Sequence, residues 1–381
     1  MIYLDNAATS FPKPEVVYAE MDDFGRHRAG NPGRSGHRLA VAAQAVLDDA
    51  RRELSALLNA PDPSHVVFAL NCTDAINIAL KGLLNAGDHV ITTSMEHNAV
   101  VRPLAALAKH GLTTTYVQCD ETGLLDPSDV AAAILSQTRL IVIIHASNVT
   151  GTIQPIAQVA ELARERDLLF MVDAAQSLGA LPLDVQALPV DLVAFPGHKS
   201  LLGPTGTGGL FVGERAGLIR SFREGGTGMA SELPEQPDKM PFRLEAGTAN
   251  VFGIAGLAAG VKFVREQGLP AIMAHEQGLN ERLWQGLRAV DGVTLHGPAD
   301  PATRTSVVSF TLAGWEPTQV GAILDANFDI AIRPGLHCAP LAHRTLGTFP
   351  SGTIRMSCGF FNTNEHIDAA IAAVAEIAAS T

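Results

Sequence analysis

From residue 39 to about 215, short apolar runs alternate with stretches whose apolar positions recur every three or four residues. The runs fall at 66–70, 89–93, 113–118, 139–146, 168–173, 191–195 and 208–212, each the length of one strand. Helical spacing fills the gaps, at 39–58, 74–84, 99–110, 127–135 and 156–166. This alternation predicts an α/β fold with a mainly parallel seven-stranded sheet and helices on both faces. Residues 224–241 break the pattern with Gly and Pro and no periodicity, which predicts a long functional loop. Beyond it, Ile272, Met273, Leu279, Leu283, Leu287 and Val290 form a helical stripe. Strands at 293–296 and 306–312 follow, then a helix near 317–326, a strand near 353–358 and a helix at 364–378. That texture predicts a smaller C-terminal α+β domain.

Polar residues follow several of the predicted strands: Thr73, His97, Asn148, Asp173 and the pair His198-Lys199. In open parallel sheets the ligand crevice lies just past the carboxyl ends of the strands. An acid and a lysine presented there suit pyridoxal phosphate. The lysine holds the aldehyde as a Schiff base, and the carboxylate keeps the pyridine nitrogen protonated. Either residue alone reads as an N-cap or a surface cation. Their joint placement beside Gln176 and His198 favours the cofactor.

Composition narrows the class. The 381 residues are 47% hydrophobic and 17% charged, enough for a large ordered core. A net charge of -12 opposes nucleic-acid binding, which needs clustered Lys and Arg. The start, Met1-Ile-Tyr-Leu-Asp5, lacks signal-peptide features, and no apolar run reaches the roughly 18 residues of a membrane span. Cysteines at 72, 119, 338 and 358 form neither a zinc pattern nor a disulfide framework, so no metal is expected. A cytoplasmic protein with reduced thiols is expected.

Asn71-Cys72-Thr73-Asp74 joins a strand to a helix, a turn whose free amides and dipole can seat a phosphate. His97 follows the next predicted strand, where an imidazole either stacks on an aromatic cofactor or is simply a polar loop residue. Cys119 and Cys358, each within a strand-like run, read as buried and inert. Cys338 lies in a Pro/Gly-bounded loop near Arg333, His337, His343 and Arg344, where cations favour the thiolate. Arg355 offers a planar fork to a carboxylate. The arginines of Gly33-Arg34-Ser35-Gly36-His37-Arg38 read as solvated loop residues.

Taken in order, several motifs resemble one family end to end. They are Tyr3-Leu-Asp-Asn-Ala-Ala-Thr9, Glu96-His97-Asn98, Ser147-Asn148-Val149-Thr150-Gly151, Val172-Asp173-Ala-Ala-Gln176, Gly197-His198-Lys199, Phe242-Arg-Leu-Glu-Ala-Gly-Thr248, His337-Cys338-Ala339, and Arg355 with Phe361-Asn362-Thr363. The chain resembles the class V aminotransferase-like, fold-type I pyridoxal-phosphate enzymes, specifically the group II (SUF-type) cysteine desulfurase and selenocysteine lyase branch. The resemblance implies a large cofactor-binding domain over 16–253. It implies a small domain from 1–15 and 254–381 that carries the nucleophile loop and the carboxylate-binding arginine. Lys199 would bind the aldehyde and shuttle the Cα proton, Asp173 would pair with the ring nitrogen, Gln176 would bond the ring hydroxyl, and His97 would stack on the ring. Thr73 and His198 would hold the phosphate, with Thr248 arriving from the other subunit of a homodimer. Asn148 and Arg355 would hold the substrate carboxylate, and Cys338 would accept sulfur from L-cysteine as a persulfide, leaving alanine.

The chain departs from the family pattern in places. Pro196 stands where relatives commonly carry a serine or another small residue, and Cys72 stands where a small or polar residue is usual, at the expected cofactor site. The short Cys338–Arg355 loop agrees with the group II type, for which a sulfur-acceptor protein is an expected partner. Alternatives are a selenocysteine lyase, a C–S β-lyase, a class V aminotransferase on another amino acid, or a non-catalytic sulfur-relay protein that keeps the cofactor for stability. Cys338 separates them, because a transaminase or simple lyase has no evident use for a thiol there.

Overall fold

Seven apolar segments pair into one sheet because each offers both faces to a helical layer. The computed structural model describes residues 1–33, 36–217 and 219–380. A two-residue strand, β1 (Ile2–Tyr3), precedes α1 (Glu15–Asp23) and α2 (Arg38–Leu58). The α/β series then runs β2 (Val66–Ala69), α3 (Cys72–Leu83), β3 (His89–Thr93), α4 (Asn98–Ala108), β4 (Thr113–Val117) and α5 (Pro127–Ala132). It continues through β5 (Thr138–Ile144), α6 (Ile156–Glu165), β6 (Leu169–Asp173), β7 (Leu192–Pro196) and β8 (Gly208–Val212). The spatial order is β2-β8-β7-β6-β5-β3-β4, and β8 alone runs antiparallel to its neighbours. The mainly parallel seven-stranded sheet expected from the pattern is present.

Side chains leave a strand on alternating faces, so each buried strand feeds two cores. On β6, Phe170 and Val172 enter the core under α2 and α6, while Leu169 and Met171 enter the core under α3 and α4. The other strands alternate in the same way, for example Ile141 and Ile143 against Leu140 and Val142. Phe170 is fully buried, and truncating it to Ala costs about 3–5 kcal/mol of stability.

From β8 to residue 250 the described residues form no further strand and no helix beyond the single turn Glu214–Ala216, so the Gly/Pro-rich segment is a long loop. A helix that the pattern did not reveal follows, α7 (Val251–Gln267). It is buried on most sides, and a methyl group at Gly260 would stand 2.5 Å from the Leu201 carbonyl oxygen. The expected division at 253 and 254 falls inside α7, whose Ile254, Leu257 and Val261 join the core of the large sheet.

The second body contains α8 (Leu269–Arg288), β9 (Val293–His296), β10 (Val307–Leu312), α9 (Pro317–Phe328), β11 (Ile330–Ala331) and β12 (Arg333–Gly335). It closes with α10 (Pro340–Thr345), β13 (Thr353–Ser357) and α11 (Asn364–Ala379). Its antiparallel sheet, β12-β13-β10-β9, packs Phe310, Ile354 and Met356 against Leu283 and Val374. The N-terminus belongs to this body: β1 pairs in parallel with β11, and Leu4 joins its core.

Candidate active site

The carboxyl ends of β5, β6 and β7 face the second body, and the polar residues found in the sequence collect there. Asp173 ends β6 and is 1% exposed. Its Oδ1 accepts from the Ala175 amide at 2.9 Å and the Cys72 thiol at 3.4 Å, while Oδ2 has no partner. Burial pushes its pKa up; the Ala175 amide and the Lys199 charge oppose that. Lys199 follows β7, and its Nζ makes no hydrogen bond among the described residues. Burial pulls its pKa down, aided by Arg355 and Arg333 and resisted by Asp173.

Asn71 caps α3 by accepting from the Asp74 amide at 2.9 Å, which starts a helix whose first amides lack helical acceptors. Among the described residues the Cys72 and Thr73 amides have no acceptor, and Thr73 is exposed beside them. His97 caps α4, its Nδ1 accepting from the Ala99 amide at 3.0 Å, so the ring orientation is set. Burial, reinforced by Lys199 and three arginines, lowers its pKa to about 4, and the ring is neutral at physiological pH.

A phosphorylated pyridine aldehyde fits this set. A protonated ring nitrogen suits the unmatched Asp173 Oδ2, an aldehyde suits the unmatched Lys199 Nζ, and a phosphate suits the open turn of α3. His198 adds a buried Nδ1 without a partner, on a ring that burial and Lys199 hold near a pKa of about 4. Its backbone is held by Lys13 Nζ, Thr9 and Ser10, which all donate to its carbonyl. Gln176 is less free than expected, since its Nε2 donates to the Ala7 carbonyl at 3.0 Å. Pro196 ends β7, paired with Gly208.

Arg355 lies in the middle of β13 and is 1% exposed. Nη1 donates to the Asn148 carbonyl at 2.9 Å, Nη2 donates to Asp5 Oδ1 at 2.6 Å, and Nε has no partner. Asn148 also reaches forward, donating from Nδ2 to the His337 carbonyl at 2.7 Å. The Asn98 amide donates to the Cys338 carbonyl at 2.8 Å, so both residues at the tip of the nucleophile loop are pinned to the large body. His337 and Cys338 both have positive φ, 48° and 58°, in the left-handed region that disfavours side chains other than glycine.

Cys338 is exposed, and of the four nearby groups expected to be cationic only Arg333 reaches it, with Nη2 3.6 Å from Sγ. His337 is neutral, its pKa pushed down to about 2 by burial and by Arg355. His343 is likewise held at about 4 by burial, and Arg344 lies over the Phe349 ring. Cys119 and Cys358 are buried but stand just past the ends of β4 and β13, not within strands.

Thr248 stands apart. It is exposed on a groove of about 1120 Å³ shared with Leu70, Arg223, Phe242 and Asn250, which contains neither Lys199 nor Asp173. Arg34 and Ser35, of the Gly33–Arg38 segment, lie outside the described residues. Asp5 was not singled out as a site residue although it stands in the first family motif. Its pairing with Arg355 spans 350 positions, and no local pattern encodes that.

The aminotransferase class-V family model matches residues 2–370. A probable cysteine desulfurase of Methanothermobacter thermautotrophicus is 34% identical over 96% of this chain and 92% of its own length. A cysteine desulfurase of Klebsiella pneumoniae is 36% identical over 99% of this chain and 93% of its own length. Among solved structures, the apo cysteine desulfurase of Thermococcus onnurineus superposes with a TM-score of 0.94 at 32% identity, covering 100% of this chain and 95% of that one. The cysteine desulfurase CsdA of Escherichia coli gives 0.89 at 30% identity, covering 100% and 94%.

Proposed function

The chain belongs to the aminotransferase class-V family, and on that premise we propose that it is a pyridoxal 5'-phosphate-dependent cysteine desulfurase. The proposed enzyme is a cytoplasmic homodimer that converts L-cysteine to L-alanine and passes the sulfur through Cys338 to an acceptor. The observation that carries this reading is an exposed thiol, Cys338, pinned by way of His337 to the Asn148–Arg355 pair, with the unmatched Lys199 amine in electrostatic reach of that arginine.

The cofactor, when bound, supplies an electron sink that makes the substrate Cα–H and Cβ–S bonds labile. Asp173 Oδ2 would accept a hydrogen bond from the protonated ring nitrogen, and Gln176 would bond the ring hydroxyl. His97 is a neutral ring for stacking. The first turn of α3 with Cys72, Thr73 and His198 would hold the phosphate, and Thr248 of a second copy of the chain would complete that cradle. Lys199 would hold the cofactor through its Nζ, and as a free amine would take the Cα proton of the substrate and later return one. Arg355 and Asn148 orient the substrate carboxylate. Cys338 Sγ, as thiolate, attacks the substrate sulfur. A sulfur–sulfur bond forms as the Cβ–S bond breaks, and Cβ keeps the electron pair and gains a proton, which gives alanine and a Cys338 persulfide. Residues 16–253, their core completed by α7, form the cofactor-binding domain, while 1–15 and the remainder of 254–381 present the nucleophile loop and Arg355.

Product analysis with L-cysteine and with L-selenocysteine, with and without a thiol reductant, tests the reading. Alanine with persulfide on Cys338 supports it, and so does a Cys338→Ala variant that still takes up the cofactor but forms no persulfide. Pyruvate and ammonia as products, or full cysteine desulfuration by Cys338→Ala, would overturn it.

A further inference from the structure

Cys72 is a site residue whose side chain contacts the charge of another, the Asp173 carboxylate. It begins α3, is 7% exposed, and donates its thiol hydrogen to Asp173 Oδ1 at 3.4 Å. No other side chain among the described residues donates to that carboxylate; its second donor is the Ala175 backbone amide. The two donors occupy Oδ1 and leave Oδ2, buried and unmatched, as the oxygen free for a ligand. Resting on the pyridoxal-phosphate reading above, we infer that Cys72 is a positioning residue for Asp173: its S–H holds the carboxylate in rotation and in its charged form, so that Oδ2 is presented to the cofactor ring nitrogen.

Burial alone drives Asp173 toward its neutral form, and a neutral carboxyl cannot hold a pyridinium. The Ala175 amide, Lys199 and the Cys72 thiol all act against that drift. Thiols are weak donors, but a bond to a buried charge in a site shut off from water gains strength. The thiol itself stays protonated, since burial and the Asp173 charge push its pKa well up. It is therefore a donor and no rival to Cys338 as a nucleophile.

The experiment compares full-length wild type with Cys72→Ser, which keeps a donor, and with Cys72→Ala and Cys72→Val, which lack one and differ in volume. Each protein is loaded with pyridoxal phosphate. Three readouts are taken: the pH midpoint of the visible cofactor band, the cofactor dissociation constant, and kcat and KM for L-cysteine. Loss of the donor leaves the ring less positive, so the midpoint moves upward, by roughly 0.4–1 pH unit for one hydrogen bond. Cofactor retention weakens about two- to tenfold, and kcat falls by a similar factor with KM little changed. Cys72→Ser, which keeps a donor, shifts the midpoint and the affinity less than Cys72→Ala or Cys72→Val. A donor-free variant with the wild-type midpoint and affinity would overturn the inference, as would equal shifts in the Ser variant and the donor-free variants. Wild type that takes up no pyridoxal phosphate would instead overturn the reading beneath it, and the inference with it.

Discussion

Asp173 Oδ2 is buried without a partner, and Lys199 Nζ, on a half-buried side chain, makes no hydrogen bond among the described residues. Such an arrangement costs free energy in the empty protein, and a ligand that completes both recovers it. Lys199→Ala is therefore expected to show no visible band on addition of pyridoxal phosphate and to lose desulfuration by a factor of at least roughly 10²–10⁴, measured as alanine release. Normal turnover by that variant would sink the role assigned to Lys199. Both residues were legible in the sequence because each ends or closely follows an apolar run, and a strand end is a position that pattern alone fixes. Charge states were not legible: His337 and His343 look like cations beside Cys338, yet the fold buries them and keeps them neutral.

At the scale of elements, the extreme N-terminus buttresses the other end of the chain. β1 pairs with β11, and Asp5 just beyond it bonds Arg355 on β13, with an isolated parallel bridge from Asp5 to Ser357. This leaves Arg355 with one orientation in which to meet a carboxylate. Asp5→Asn is expected to raise KM for L-cysteine by roughly tenfold with a smaller change in kcat, the size of one lost charged hydrogen bond. An unchanged KM would mean that Arg355 needs no such support. Strand ends were readable to within two residues for most of the sheet. The widest difference, in predicted strand 139–146, arises because the strand stops at Ile144 and Ala146 turns away to bridge Ile153. α7 was hidden because its glycines and its burial on most sides leave no polar face to set a period.

For the whole molecule, buried titratable groups set opposite limits on stability. His97, His145, His198 and His343 titrate near 4 and His337 near 2, each lowered chiefly by burial from 6.5. The unfolded chain thus takes up protons first as pH falls below 6.5, and the fold loses stability there. Glu96 and Glu276 behave oppositely: burial raises them from 4.5 to about 8 and about 7, so the fold loses stability as pH rises toward those values. Five histidines outweigh two carboxyls below 6.5, and only the carboxyls act just above it. Thermal unfolding of the cofactor-free protein is expected to be latest near pH 6.5, and Glu96→Gln is expected to raise the midpoint at pH 8.5 more than at pH 6. A maximum below pH 5 would contradict this. The alternation of strand and helix made the large body legible. How the two bodies meet was not, since the bonds from Asn148 and Asn98 to the second body span well over a hundred positions.

The tip at His337 and Cys338 is fastened through two carbonyls to side-chain and backbone donors of the other body, in a conformation most residues avoid. A hook nailed down in this way has no swing. On the proposed reading, sulfur hung on it is collected in place, so a recipient has to bring its own reactive group up to the exposed Cys338.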